Sequence, residues 1–197
     1  MPRTSRWAGL SQADRRAARR AMLVRAAYGL FAEGGEAAVT LRSVCRRSDL
    51  HARYFSESFS GTDALLGAVY DVVVADLTEA LATAMAGLPD VRARLAAGIR
   101  TVLSFSSEDP GRGKILFIEA RTNPVLAQRR TATQEELRKS VLPGAVRERT
   151  ADLVGAAMYA GAMAELAQQW LLGQLGADLE TVVDSAVGVI MPGRPRR

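Results

Sequence analysis

The stretch VTLRSVCRRSDLHARYFSESF at residues 39–59 decides the fold of this chain. Leu41, Val44 and Cys45 are spaced i, i+3, i+4, which predicts the buried face of a short helix. Thr40 stands just before them, and threonine is a residue type whose hydroxyl accepts a free N–H of a first helical turn. The first half of the stretch therefore predicts a short helix that begins after a Thr40 cap.

The second half of the stretch predicts another short helix after a tight turn. Ser48-Asp49 are turn-forming residue types, and HARYFSESF at 51–59 carries polar side chains with Phe55 and Phe59 turned inward. Two short helices joined by a tight turn are typical of a helix-turn-helix, whose second helix lies in the major groove of DNA.

The segments on both sides strengthen this interpretation. An apolar helix ending at Gly34-Gly35 precedes the stretch, and a long helix predicted from about 61 to 85 follows it. The whole block resembles the DNA-binding domain of the TetR family of bacterial transcriptional regulators. The resemblance rests on four segments: LFAEGG at 30–35, TLRSVCRRSDL at 40–50, HARYFSESF at 51–59 and TDALLGAVYD at 62–71.

The resemblance implies which residues contact DNA. Thr40 and Tyr54 are expected to donate their hydroxyls to phosphates. Arg53 is expected to read a base, since a guanidinium pairs with guanine O6 and N7 through two hydrogen bonds. His51 either contacts phosphate or is only a poor helix cap. The full predicted set is Thr40, Arg42, His51, Arg53, Tyr54 and Ser56.

Three residues depart from the family pattern. Asp49 replaces a turn glycine, which is tolerable because Asp enters the left-handed region more readily than most residues. Ser56 stands where a Tyr commonly touches phosphate, and Thr62 stands where a Lys usually opens the fourth helix. Arg46 and Arg47 are expected to restore some of the missing positive charge.

Positive charge is concentrated in the first part of the chain. Residues 1–60 hold 11 Lys or Arg against 5 Asp or Glu, whereas residues 61–197 hold 15 against 16. A basic patch favours docking on phosphates through counterion release. Four arginines follow a helix start predicted at Ser11, and one or two are expected to touch phosphate while the rest are solvated: Arg15, Arg16, Arg19 and Arg20. Taken alone, the charge would fit a solvated helix face equally well.

The chain is predicted to be all-α, because it is rich in Ala and other apolar residues and poor in Pro. Residues 1–60 form the predicted helix-turn-helix domain, and a long helix over 61–85 connects it to the second domain. Residues 86–191 form a larger helical domain for regulation and dimerisation. Residues 1–10 and the basic tail 192–197 are predicted to be disordered.

The last two helices predict a homodimer. Residues 150–173 are apolar around most of the helix circumference, and such a helix must be covered on more than one side. A second copy of the chain would cover it in a twofold four-helix bundle, as the resemblance also implies. The alternative is a core helix of a monomer. The predicted interface comprises Leu166, Trp170, Leu179, Val183, Val187 and Ile190.

The resemblance further implies a small-molecule effector bound between helices of the second domain. Aromatic and Met side chains are expected to line this site, with a polar anchor. The alternative is that each is ordinary core or surface, as apolar residues at helical spacing usually are. The candidates are Phe105, Phe117, Arg121, Met158, Met163 and Trp170.

Other function classes find little support in the residues. No nucleophile–base pair, metal-ligand cluster or phosphate loop is recognisable, so we expect no enzyme, metal or cofactor. The longest apolar run, 153–164, is short of the roughly 20 residues that a membrane span needs. A single cysteine fits a reducing cytoplasm. The rival interpretation is a helical adaptor that binds protein rather than DNA.

Overall fold

A computed structural model describes residues 11–119, 123–141 and 150–191. The predictions made for residues 1–10, for Arg121 and for the tail 192–197 lie outside the described residues. The described ranges form nine α-helices and no strand, which confirms the all-α prediction. The helices are α1 (Gln12–Gly34), α2 (Leu41–Ser48), α3 (Ala52–Ser58), α4 (Thr62–Met85), α5 (Val91–Glu108), α6 (Pro110–Gly113), α7 (Pro124–Val141), α8 (Thr150–Leu171) and α9 (Leu179–Ile190).

The chain divides into two compact units after Val69. We call residues 1–69 the first unit and residues 70–197 the second unit. Helix α4 was predicted over 61–85 and is found at Thr62–Met85, so the division falls inside it. Within the described ranges, no helix is both long enough and apolar enough to cross a bilayer.

The core of the first unit is built from one face of each of its helices. The apolar spacing of α1 places Leu23, Ala27 and Phe31 on one side, and all three are fully buried. The later helices and the residue after α3 contribute Val44, Phe55, Phe59, Leu65, Leu66 and Val69 to the buried set. The first unit is therefore a small helical domain with its own core.

Polar side chains fix where the helices of the second unit begin. Asp90 accepts the Ala93 N–H at 2.7 Å, and Asp178 accepts the Thr181 N–H at 3.0 Å. Asn123 accepts the Leu126 N–H at 3.0 Å, so α7 opens at Pro124, as the Asn-Pro pair predicts. These caps satisfy N–H groups that have no partner inside a helix.

Helices α5, α8 and α9 enclose the core of the second unit, which corrects part of the predicted dimer interface. The buried cluster comprises Ile99, Leu103, Met163, Ala167, Val182, Val183 and Val187. Val183 is 0% exposed and Val187 is 2% exposed within a single chain. The prediction that these two valines contact a second copy is wrong, because the apolar stripe of α9 packs on helices of its own chain.

Candidate nucleic-acid interface and effector site

Helix α2 begins with a reciprocal pair of hydrogen bonds. The Thr40 hydroxyl accepts the Ser43 N–H at 3.1 Å, and the Ser43 hydroxyl accepts the Thr40 N–H at 3.0 Å. This capping box confirms the cap expected from the residue type. Thr40 is exposed, and its hydroxyl proton can go either to Ser43 Oγ, 3.0 Å away, or to a phosphate oxygen.

The turn after α2 has the left-handed residue that the sequence predicts. Asp49 has φ 55° and ψ 40°, and it is the non-glycine residue with positive φ in the described ranges. Its N–H donates to the Cys45 carbonyl, and the Leu50 N–H donates to the same oxygen at 3.1 Å. The turn therefore closes the C-terminus of α2 and leads directly into α3.

Helix α3 presents a polar face above a buried aromatic pair. Phe55 and Phe59 are buried with their ring centroids 5.9 Å apart, while Arg53 and Ser56 are exposed. His51 occupies the N-cap position, but its side chain makes no capping hydrogen bond. The His51 side chain therefore does not cap α3. Its contact with phosphate stays a prediction.

Arg53 and Tyr54 form one polar group on this face. An Arg53 guanidinium N–H donates to the Tyr54 hydroxyl at 2.7 Å, and the guanidinium carbon lies 4.6 Å from the centre of the Tyr54 ring. The hydrogen bond raises the pKa of Arg53, so the side chain stays cationic. A phenol that accepts one hydrogen bond still has its own proton to donate.

The three arginines of α2 are not equivalent. Arg42 and Arg46 are exposed and form no ion pair within the described residues. Arg47 instead donates to both carboxylate oxygens of Glu33, at 2.6 and 2.7 Å, and lies against Gly29. The sequence suggested that Arg47 replaces missing positive charge at the DNA. In the structure its guanidinium is instead paired with a carboxylate of α1.

The arginines of α1 make contacts that the sequence does not predict. Arg16 donates to the Glu57 carbonyl at 2.7 Å, and the Arg20 guanidinium lies 4.4 Å from the Phe59 ring centre. Arg19 lies 4.5 Å from the Tyr54 ring centre. Three of the four predicted phosphate or solvent residues therefore contact α3 or the residue that follows it.

A cavity on the first unit adds a residue that sequence reasoning did not select. Thr40 and Thr62 line the same surface cavity of about 470 Å³, together with Glu36 and Leu66. Thr62 begins α4, so the two hydroxyls lie at the N-terminal ends of two helices. Their proximity could not have been anticipated from the sequence, because it depends on packing.

The structure scatters the predicted effector residues. Phe105 and Met163 are buried. Phe117 and Trp170 are partly buried and pack against the buried cluster that contains Met163. Met158 is 70% exposed. In a single chain Met158 therefore lines no enclosed cavity, contrary to the prediction.

Trp170 has the most distinctive surroundings among these candidates. Its indole Nε1 is buried and has no hydrogen-bond partner within the described residues. Its side chain also lines an open surface cavity of about 560 Å³, whose other walls come from the turn between α8 and α9 at residues 173–178. A buried donor without a partner is costly, so a polar ligand atom that accepts from this indole would stabilise the site.

Four of the six predicted dimer residues retain accessible surface. Leu166, Trp170 and Leu179 are partly buried against the cluster of their own chain, and Ile190 is exposed. Further large apolar side chains of the same two helices and the turn between them are exposed but were not predicted: Val154, Tyr159, Leu172 and Val189.

Comparison of the sequence with protein-family models finds no match, and comparison with curated proteins finds none either. The geometry defines a helix-turn-helix protein with a second helical unit.

Comparison with solved structures finds proteins of the same fold. The fatty acid degradation regulator FadR from Bacillus halodurans superposes with a TM-score of 0.69 at 15% identity, over 91% of this chain and 97% of its own. FadR from Bacillus subtilis, in complex with stearoyl-CoA, gives 0.69 at 15% identity, over 88% and 98%. A TetR-like regulator from Rhodococcus sp. RHA1 gives 0.64 at 16% identity, over 88% and 94%. The chain has the fold of TetR-family transcriptional regulators.

Proposed function

We propose that this chain is a ligand-responsive transcriptional repressor. It binds a pseudo-palindromic DNA operator as a homodimer, and a small-molecule effector releases it. The observation that carries the proposal is the pair formed by exposed Arg53 and half-buried Tyr54 on α3. This helix follows a left-handed turn and a capped α2 in the basic part of the chain. The fold shared with TetR-family regulators supports the same function.

Each candidate contact has a chemical role at the operator. Arg53 reads a guanine through two hydrogen bonds, because four of its N–H donors remain beyond the one given to Tyr54. Thr40 and Tyr54 donate hydroxyl protons to phosphates, while Arg42 and His51 supply further phosphate contacts. Ser56 is exposed on the same helix and contributes a short donor.

Release follows from a shift between two states of the dimer. In the DNA-bound state the two α3 helices match major grooves one helical turn apart, roughly 34–36 Å. An effector that binds the other state more tightly lowers operator occupancy. We assign the effector to Phe117, Met163 and Trp170, since all three lie in or against one cluster. The Trp170 indole N–H has no hydrogen-bond partner within the described residues.

Selection of bound sequences from random duplexes tests the function directly. We expect an inverted repeat to be enriched, and we expect one member of a metabolite panel to reduce its retention. Long-chain acyl-CoA belongs in the panel, because the Bacillus subtilis FadR structure holds stearoyl-CoA. A helical adaptor, the rival interpretation, would enrich no sequence and show no steep salt dependence.

Arg53→Ala is the matching test of the assigned base reader. The substitution should cost roughly 1–3 kcal/mol of operator binding and relax base preference at one position in each half-site, because the guanine contact is lost. Binding of all single-base variants of the selected operator measures this. Arg94→Ala removes the same charge from an exposed position in the second unit and should leave the preference unchanged. Equal selectivity in Arg53→Ala and the parent would refute the assignment.

A further inference from the structure

Arginines of α1 hold the C-terminal half of α3. Arg16, Arg19 and Arg20 are spaced i, i+3, i+4, so they share one face of α1. Arg16 donates to the Glu57 carbonyl at 2.7 Å, which is one of the last α3 carbonyls without a partner inside the helix. Arg20 covers the ring of Phe59. Of the three, Arg19 contacts a side chain that belongs to the candidate DNA-binding face.

Arg19 is enclosed between two groups of α3. Its guanidinium carbon lies 4.5 Å from the centre of the Tyr54 ring, and its Nη2 lies 3.9 Å from a carboxylate oxygen of Glu57. The Arg19 side chain is only 14% exposed, whereas that of Glu57 is 49% exposed. A cation over an aromatic ring is attracted by the negative ring face, and the planar guanidinium also stacks on it. Arg19 therefore fixes the position of the Tyr54 ring.

Tyr54 in turn holds Arg53. The Tyr54 hydroxyl accepts from Arg53 at 2.7 Å, and the Arg53 guanidinium lies over the same ring. An arginine side chain that is free in solution loses rotamer freedom when it binds a base. Since Tyr54 already restricts Arg53, part of that entropy is lost before DNA arrives, and a fixed guanidinium discriminates better between base edges.

We propose that Arg19 is a positioning residue for base recognition: it holds Tyr54, which orients Arg53, and it contacts no DNA itself. This inference rests on the proposed function, since it requires that Arg53 reads a base. It differs from a phosphate contact, because Arg19 is largely enclosed and already faces the Glu57 carboxylate. It also differs from simple support of α3, which Arg16 and Arg20 can provide. Arg16 donates to the Glu57 carbonyl and Arg20 covers the Phe59 ring, whereas Arg19 covers the Tyr54 ring.

The test compares Arg19→Met with Arg20→Met in the full chain. Both variants remove one guanidinium from the same face of α1 and keep an unbranched stem. We expect Arg19→Met to reduce the preference for the guanine at the Arg53 position by about tenfold, within the range that one paired arginine–guanine contact provides. Arg20→Met should leave this preference unchanged.

The salt dependence of operator binding separates positioning from phosphate contact. A lost phosphate contact reduces the slope of log K against log salt by about one. We expect the slope of Arg19→Met to equal that of the parent. A reduced slope with unchanged base preference would overturn the proposal and make Arg19 a phosphate ligand. Equal loss of affinity for all sequences in both variants would overturn it in favour of simple support.

Two further variants protect the test from a misfolded Arg19→Met. Arg19→Lys keeps the charge but lacks the planar group, so it should show a smaller loss of the same base preference. Tyr54→Phe keeps the ring and removes the hydroxyl, so it should relax the same position. The double variant of Arg19→Met and Tyr54→Phe should lose less than the sum of the two, because both act on one chain of contacts. Additive losses would contradict the proposal.

Arg53→Ala in the same assay distinguishes the two levels of failure. If the parent selects no sequence, or if Arg53→Ala keeps its selectivity, the proposed function fails and the role of Arg19 falls with it. If Arg53→Ala relaxes its base position while Arg19→Met and Arg19→Lys behave as the parent, only the positioning role is refuted.

Discussion

The ion pair between Arg47 and Glu33 engages the Arg47 guanidinium in a contact between α2 and α1. Both N–H···O contacts are short, and the guanidinium lies so close to Gly29 that a Cβ there would stand 2.8 Å from Arg47 Nη2. The hydrogen bond from Arg47 lowers the pKa of Glu33 below its ordinary value. The pair joins α1 to α2 at a site that remains accessible to solvent, so screening keeps its contribution to stability modest.

The lowered pKa of Glu33 predicts a pH dependence with a definite sign. Because the pKa is lower in the folded state, the pair stabilises the fold above the ordinary glutamate pKa, and the contribution is lost as the pH falls through the lowered value. Glu33→Gln should therefore be less stable than the parent near neutral pH and equally stable in strong acid. Urea unfolding at a series of pH values measures this. A constant gap between Glu33→Gln and the parent at every pH would contradict the assignment.

Single residues were predictable from sequence where the interaction is local. The Thr40 cap and the left-handed Asp49 each depend on residue type and on neighbours within four positions. The partners of Arg47 and Arg19 lie 14 and 38 positions away, in other helices. Helical spacing shows that Arg16, Arg19 and Arg20 share one face of α1, but only tertiary packing shows that this face contacts α3 and the residue after it.

At the scale of whole helices, α9 carries the apolar stripe that the sequence predicts, although its partner differs from the prediction. Val183 is fully buried among Ile99, Leu103 and Met163, which come from α5 and α8 of the same chain. An ion pair from Arg100 of α5 to Glu180 of α9, at 2.7 Å, also joins these two helices. The apolar stripe of α9 therefore belongs to the core of the second unit.

Val183→Ala tests this assignment by creating a cavity. Removing two buried methyl groups should lower the free energy of unfolding by about 2 kcal/mol, from lost burial plus the cavity left behind. Urea unfolding gives the value. Val91→Ala changes the same side chain at an exposed position of α5 and should stay within about 0.5 kcal/mol of the parent. Similar stability of both variants would show that Val183 is not core.

Helix ends were predictable to within one or two residues, because they depend on local caps and breakers. The helix predicted at 61–85 is found at Thr62–Met85, and the one over 150–173 is found at Thr150–Leu171. The face that each helix buries was also readable from its period. Periodicity does not reveal which surface covers that face, so Val183 and Val187 were assigned to a second chain instead of α5 and α8.

For the molecule as a whole, the exposed apolar side chains of α8 and α9 support the proposed homodimer better than the predicted set did. Val154 and Met158 lie one turn apart on α8, and Val189 and Ile190 end α9. All four are exposed in a single chain, and Val189 is 81% exposed. Clusters of exposed apolar side chains commonly mark protein interfaces. We therefore propose these side chains as part of the homodimer interface.

Met158→Glu tests the dimer without touching the core. A carboxylate at the centre of an apolar interface would be buried without a partner, which costs several kcal/mol in each copy. We therefore expect the parent to sediment as a dimer and the variant as a folded monomer. Val91→Glu introduces the same charge at another exposed apolar position, on α5, and should remain dimeric. A Met158→Glu dimer would place the interface elsewhere. A monomeric parent that nevertheless selects an inverted repeat would show that dimerisation occurs only on DNA.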